Sequence, residues 1–259
     1  MVYTNSITSV FPADVKVKQY ADDIKIYTKV ESIEDADRLQ HAIDAFQRWC
    51  DPLDLGLTSS KCKVLHFGRS NPRSLYALNN NLLDSTESIR DLGVIVSTDL
   101  KASEQTRDIV NRASRCCNLI FRSFILRDKD VYFNLFRTYV IPIMSYAIPV
   151  WRPALVKDQR LLQSVYDRFR RIAAFKCNNN RDQFPVVDMG DIFDQCDVTT
   201  FRTITADDYL CAQMFNMIHS NTRSRCLHRP KFTAKSESVN SLFPWRVVRI
   251  LLDPSNPLC

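Results

Sequence analysis

The sequence predicts an α+β fold, an antiparallel sheet with a packed helix followed by a helical region, on two observations. Over about residues 1–100, short runs alternate apolar and polar side chains, whereas from Lys101 onward apolar residues recur at spacings of three and four. The chain has 259 residues, 45% hydrophobic and 25% charged, a balance that builds a core and argues against disorder. Three regions are expected: 1–100, 101–177 and 178–259.

In the first region, "VKVKQYADDIKIYTKV" (15–30) alternates on both sides of Asp22 and Asp23 and reads as a β-hairpin. "SIEDADRLQHAIDAFQRWC" (32–50) puts Ile33, Ala36, Leu39, Ile43, Phe46 and Cys50 on one helical stripe, and Ser32 with Asp35 supplies a capping box. "KCKVLHFG" reads as a strand stopped by Gly68, "SLYALNNNLL" as a second hairpin with an Asn-rich turn, and "LGVIVS" as a further strand.

In the second region, "EQTRDIVNRASRCCNLIFRSF" sets Ile109, Val110, Ala113, Cys116, Cys117, Ile120, Phe121 and Phe124 on one arc. Arg107, Arg112, Arg115 and Arg122 fall on the opposite arc. "DKDVYFNLFRTYVIPIMSYAIPVWRP" starts as a helix interrupted by Pro142, Pro149 and Pro153. "VKDQRLLQSVYDRFRRIAAFKC" repeats the amphipathic pattern with Arg160, Arg170 and Arg171 outward. Beyond Cys177 the periodicity weakens; "NNNRDQFP" reads as a linker, "TITADDYLCAQMFNMIHS" as a helix, and the tail from Asn221 has no assignment.

No run approaches the roughly 18 apolar residues that span a bilayer, and no basic flank with an apolar h-region opens the chain. An intracellular protein with no membrane partner is expected. The nine cysteines are odd in number and irregularly spaced, which predicts reduced, mostly buried thiols. Net charge is +6, and residues 101–180 hold 15 basic against 6 acidic side chains. Such a local field suits a polyanion, although a solvated basic face has the same composition.

Adjacent aspartates in a tight turn can serve the turn itself, the simpler reading of the dipeptide alone. They can also converge on a hard divalent ion, since Mg²⁺ takes one or two protein carboxylates and completes its shell with water and phosphates. The flanking residues bear on the choice. "YADD" (20–23) between β-branched strands resembles the hairpin of reverse transcriptases. "WCDPLDLGLTSSKCKVLHFG" (49–68), "IRDLGVIVSTDL" (89–100) and "RDKDVYFNLFRTYVIPIMSYAIPVWRP" (127–153) follow in the order found in the non-LTR, LINE-type branch of that family. The resemblance covers about residues 1–177.

That resemblance implies a partial polymerase palm over 1–100, a helical thumb over 101–177 and a C-terminal region beyond. Asp22 and Asp23 would be the catalytic carboxylates and ligands of Mg²⁺, or Mn²⁺ in its place. Tyr20, Lys61, Leu92 and Gly93 would contact primer or nucleotide, and Arg107, Arg112, Arg115 and Arg122 the template–primer backbone. The partners would be an RNA template, a DNA primer and deoxynucleoside triphosphates. The chain departs from the family pattern at Leu53, Thr58, Ile141 and Ser145. The family's fingers and a third catalytic Asp have no counterpart ahead of "YADD"; Asp14 stands in an unrelated context. The expectation is therefore a truncated RNA-directed DNA polymerase with negligible activity as this chain, the alternative being a non-catalytic nucleic-acid-binding remnant. Cys196, Cys211, His219, Cys226 and His228 lack the close pair of a structural zinc site, so zinc is not expected. His41 and His66 read as residues without partners.

Overall fold

The computed structural model describes residues 7–68, 70–125, 127–178 and 183–207, together with the short strands at 217–218 and 229–230. The chain divides into two compact units, Met1–Lys101 and Ala102–Cys259.

In the first unit, β1 (Lys16–Tyr20) and β2 (Asp23–Tyr27) pair antiparallel from Lys16↔Tyr27 to Tyr20↔Asp23. Helix α1 (Ile33–Cys50) begins with the expected box: Asp35 N–H donates to Ser32 Oγ at 3.3 Å, and Ser32 N–H to the Asp35 carboxylate at 3.0 Å. Ala36, Ala42, Phe46 and Cys50 are buried along it. Ile33 was expected on that stripe, yet it is exposed, because the first helical residue projects beyond the packed turns. Ile7, Phe46 and Cys50 form a core cluster against which Phe11, Ile24, Ile26, Trp49 and Leu57 pack. The hairpin thus lays one face on α1.

The remaining strands are short: β3 (Lys63–Leu65), β4 (Ala77–Leu78), β5 (Asn81–Leu82), β6 (Asp84–Thr86), β7 (Ser88–Asp91) and β8 (Val94–Ser97). Among the described residues the strands form separate two-stranded ladders, and β3 runs parallel to β6. Asn79 and Asn80, both at positive φ, make the Asn-rich turn between β4 and β5. Gln40 of α1 substitutes for a neighbouring strand. Its amide donates to Ala77 O at 3.0 Å and accepts from Ala77 N–H at 2.9 Å. His66 is not without partners: its Nε2 lies 3.3 Å from Ser85 Oγ and its ring stacks beside Tyr76.

The second unit is helical: α2 (Ser103–Ser123), α3 (Lys129–Leu135), α4 (Ile141–Ser145), α5 (Ile148–Trp151), α6 (Val156–Lys176) and α7 (Met189–Thr205). A π-helical segment, Phe136–Val140, joins α3 to α4. It lies immediately before Pro142, whose ring crowds the carbonyl four residues back and cannot donate; widening the turn accommodates both defects. Ser103 Oγ donates to Asp158 at 2.5 Å near the starts of α2 and α6, while Phe121 and Phe169 stack at 4.7 Å toward their ends. The two helices therefore run parallel. Phe121, Tyr132, Phe136, Tyr166 and Phe169 interlock as the aromatic core of the unit.

Helix α7 corrects the sequence reading beyond Cys177. Helix was expected over 203–220, but α7 lies upstream and ends at Thr205, and Met217–Ile218 pairs with Arg229–Pro230 as a strand. Residues 208–216 and 219–220 of the expected helix lie outside the described residues. Asp188 caps α7 by accepting from Gly190 N–H at 2.7 Å. Arg152, after α5, reaches Asp194 and Asp197 of α7 and the Gly190 carbonyl, which holds the helix in place.

Candidate functional site

The β1–β2 hairpin turns in two residues, Ala21 and Asp22, with Ala21 at φ 54°. Gln19 closes the turn by donating from Nε2 to Ala21 O at 3.0 Å. Asp22 occupies the turn, and Asp23 opens β2 directly opposite Tyr20. Both aspartates are exposed, and neither carboxylate has a hydrogen-bond or ion-pair partner among the described residues. Their four oxygens are open acceptors in a chemistry suited to Mg²⁺. No cluster of three His, Cys, Asp or Glu occurs among the described residues. The pair therefore fits part of a metal shell, with the remaining ligands left to other groups. Asp14 lies at the far end of the hairpin, where its carbonyl accepts from Thr28 Oγ1 and its carboxylate faces Arg38 at 3.4 Å.

Directly opposed residues of antiparallel strands share a face. Val17↔Ile26 and Gln19↔Ile24 make the face toward α1, whereas Tyr20↔Asp23, Lys18↔Lys25 and Lys16↔Tyr27 make the other. Tyr20 is 66% exposed there. On that same face Lys25 Nζ donates to the Asp91 carboxylate at the end of β7. Immediately after Asp91, Leu92 (φ 44°) and Gly93 (φ 82°) form the two-residue turn into β8. A turn with two positive φ values favours Gly at its second position, while Leu92 sits in a region costly for a branched side chain.

Lys61 ends a short 3₁₀ turn, Ser59–Lys61, and is exposed, with no described bond to Asp22 or Asp23. In the second unit, Arg107, Arg112, Arg115 and Arg122 are all exposed along α2. Arg112 faces Asp108 at 3.7 Å. Arg107, Arg115 and Arg122 have no ion-pair partner among the described residues. Of the Cys and His residues considered for zinc, Cys196 is half-buried with its thiol pushed up by burial, and the other four lie outside the described residues. No helix among the described residues is long and apolar enough to cross a membrane.

The Lys25–Asp91 pair went unread in the sequence. Period two places Lys16, Lys18 and Tyr20 on one face of β1, but only the register adds Lys25 and Tyr27, and nothing in the spacing points to a residue 66 positions away.

No protein-family model matches the chain, and no solved structure does. Two curated proteins called RNA-directed DNA polymerase from mobile element jockey do. The one from Drosophila funebris is 28% identical over 154 residues, 57% of this chain and 17% of its own length. The one from Drosophila melanogaster is 26% identical over 153 residues, 56% of this chain and 16% of its own. An uncharacterized Caenorhabditis elegans protein is 26% identical over 90 residues, 35% of this chain and 46% of its own. The chain spans about a sixth of the length of the two jockey proteins. Over somewhat more than half of its own length, the chain is thus related to the RNA-directed DNA polymerases of mobile elements.

Proposed function

We propose that the chain is the later part of the polymerase domain of a LINE-type reverse transcriptase: the metal-binding hairpin and late palm in the first unit, the thumb in the second. The observation that carries this reading is the pair of unpartnered, exposed carboxylates, Asp22 and Asp23, at the tip of a two-residue hairpin within a "YADD" sequence. In the parent reaction, RNA-templated DNA synthesis, Mg²⁺ supplies Lewis-acid stabilisation of the transferring phosphoryl group. Asp22 would be its direct ligand and Asp23 a second contributor. Tyr20, on the face of Asp23, borders the primer end, and the Leu92–Gly93 turn supports the primer strand. Lys61 neutralises nucleotide phosphates, and the α2 arginines hold the duplex backbone without reading its sequence.

By itself the chain is proposed to be inactive, because a metal-assisted phosphoryl transfer needs more ligands than the Asp22–Asp23 pair, and no cluster of three His, Cys, Asp or Glu occurs among the described residues. The test is Mg²⁺-dependent extension of an RNA-templated DNA primer. The chain alone is expected to give none, whereas the same chain joined to the upstream polymerase segment of its parent element extends the primer and loses that activity on Asp22→Ala. Extension by the joined protein that is insensitive to Asp22→Ala would remove the polymerase assignment. Asp22-dependent extension by the chain alone would remove the claim of inactivity.

The second reading, a nucleic-acid-binding remnant, draws on the unpaired α2 arginines. It requires steeply salt-dependent binding that weakens on substitution of Arg107, Arg115 and Arg122.

A further inference from the structure

Asp23 has a cation within reach that it does not use. Residues two apart on a strand share a face, so Lys25 follows Asp23 along the face that also carries Tyr20 and Lys18. Two steps of strand rise set their Cα atoms about 7 Å apart, a span that an ammonium on a flexible four-carbon stem can close. Lys25 instead donates to the carboxylate of Asp91, 66 residues further along the chain at the end of β7. Asp22 and Asp23 are left exposed, with no hydrogen-bond or ion-pair partner for either carboxylate among the described residues.

Asp91 wins this competition for physical reasons. Its side chain is 30% exposed, whereas Asp22 and Asp23 are open to water, and an ion pair gains strength as water is excluded. Its backbone is fixed by pairing with Val94 across the Leu92–Gly93 turn. Lys18, directly opposite Lys25, repels the ammonium from the ladder. Asp91 does not join the aspartate pair as a further ligand, since no three His, Cys, Asp or Glu are grouped to hold a metal ion among the described residues. Its effect on Asp23 therefore runs through Lys25.

We infer that Asp91 is a positioning residue for the carboxylate pair: by holding the Lys25 ammonium it keeps Asp23 free to bind a divalent cation. The inference rests on the reading of Asp22 and Asp23 as metal ligands and deepens it by naming the residue that keeps their oxygens open. A carboxylate already paired with an ammonium is a poor ligand for a hard ion, because its oxygens are occupied and the neighbouring charge repels the dication. A unit charge about 7 Å from a dication in water opposes binding by a factor of about 7. Lys18 stays diagonal to Asp23 whether or not Asp91 is present, so the difference reports on Lys25.

The experiment is a Mn²⁺ titration of the whole chain at low salt, with free ion counted by electron paramagnetic resonance. Asp22→Ala/Asp23→Ala gives the binding that belongs to other sites. Asp91→Asn is expected to weaken the remainder about 3- to 10-fold, and adding Lys25→Met to Asp91→Asn is expected to restore the value of the unaltered chain. The double variant lacks the Lys25–Asp91 bridge as fully as the single one, so a purely structural Asp91 would leave both equally weak. Each variant is titrated at a temperature where circular dichroism shows it fully folded. Unchanged binding by Asp91→Asn overturns the inference, as does a double variant no better than the single one; both results leave the metal assignment standing. Mn²⁺ binding that Asp22→Ala/Asp23→Ala does not alter removes the metal assignment and the inference with it.

Discussion

Lys25 on β2 and Asp91 at the end of β7, 66 residues apart in sequence, form an ion pair that joins the hairpin bearing Asp22 and Asp23 to the hairpin turning at Leu92 and Gly93. The pair also compensates a cost within the ladder, where Lys18 and Lys25 stand directly opposed and repel. Both partners are partly solvated, so the coupling is worth about 0.2–1 kcal/mol. Asp91→Asn is expected to lower the unfolding free energy of the first unit by that amount at low salt, read as a lower urea midpoint, with the difference closing in high salt as screening removes the Lys18–Lys25 repulsion. An unchanged midpoint at low salt would show that the two hairpins are held together by packing alone.

Ala21 occupies the turn of the carboxylate hairpin at φ 54°, where an L side chain is disfavoured. Ala21→Gly should stabilise the chain by about 1 kcal/mol, because relief of the strain exceeds the entropy added to the unfolded state. Ala21→Val should destabilise it by more. Paired urea titrations decide the matter, and loss of stability in the Gly variant would contradict the turn geometry.

Arg152 bridges Asp194 and Asp197 and donates to the Gly190 carbonyl at 3.4 Å, with Asp197 fully buried. Arg152→Met removes the guanidinium that faces that buried carboxylate, and breaking a buried ion pair by deleting one partner costs about 3–5 kcal/mol. The expected result is a large drop in the thermal midpoint of the second unit, partly recovered by adding Asp197→Asn. Arg152→Lys should restore little, since an ammonium lacks the planar fork that reaches three acceptors.

Asp99 accepts from Ser97 Oγ at 2.7 Å and from Lys101 N–H at 3.0 Å, with the Lys101 ammonium at 3.1 Å. The Ser97 hydroxyl, then the Lys101 amide and ammonium, bring its carboxyl down to about 2. A depressed carboxyl stabilises the fold above its unfolded pKa of about 4 and loses that contribution as pH falls toward 2. NMR titration should place Asp99 near 2, and Asp99→Asn should flatten the stability profile between pH 4 and 2. A midpoint near 4 would mean that the turn does not hold the carboxylate.

Cys117 is buried between α2 and α6, and burial, aided by neighbouring Cys116, pushes its thiol up to about 12. At pH 8 only about one thiol in ten thousand is ionised, and the thiolate is the reactive form. Alkylation at pH 8 followed by peptide mapping should leave Cys117 unmodified in the native chain and label it fully in urea. Because the unfolded thiol ionises near 9 while the folded one does not, the fold should lose stability as pH rises from 9 toward 12.

Local chemistry in the sequence reached the local elements. The Ser32–Asp35 box starts α1, Asn79–Asn80 turns β4 into β5, and the arginine arc of α2 is exposed as its spacing requires, whereas "LGVIVS", read as a strand throughout, gives up Leu92 and Gly93 to the turn and begins pairing at Val94. Helix α7 was missed although Asp188 and the spacing of Met189, Phe193, Asp197 and Ile204 carry a helical signal. Its run of Val198, Thr199 and Thr200 has weak helix propensity, so packing against α5 and α6 and the Arg152 bridge decide the matter.

By itself the sequence determined that Asp22 and Asp23 sit at a hairpin tip, that α1, α2 and α6 are amphipathic helices and that positive charge gathers in 101–180, since each rests on neighbours a few residues apart. Only the tertiary structure decided that Lys25 meets Asp91, that β3 runs parallel to β6, and that Lys16, Lys18, Tyr20 and Tyr27 share one open face. Those outcomes depend on strand register and on contacts between distant segments. Side-chain periodicity repeats identically for every register of the same parity, so no spacing along the chain can specify them.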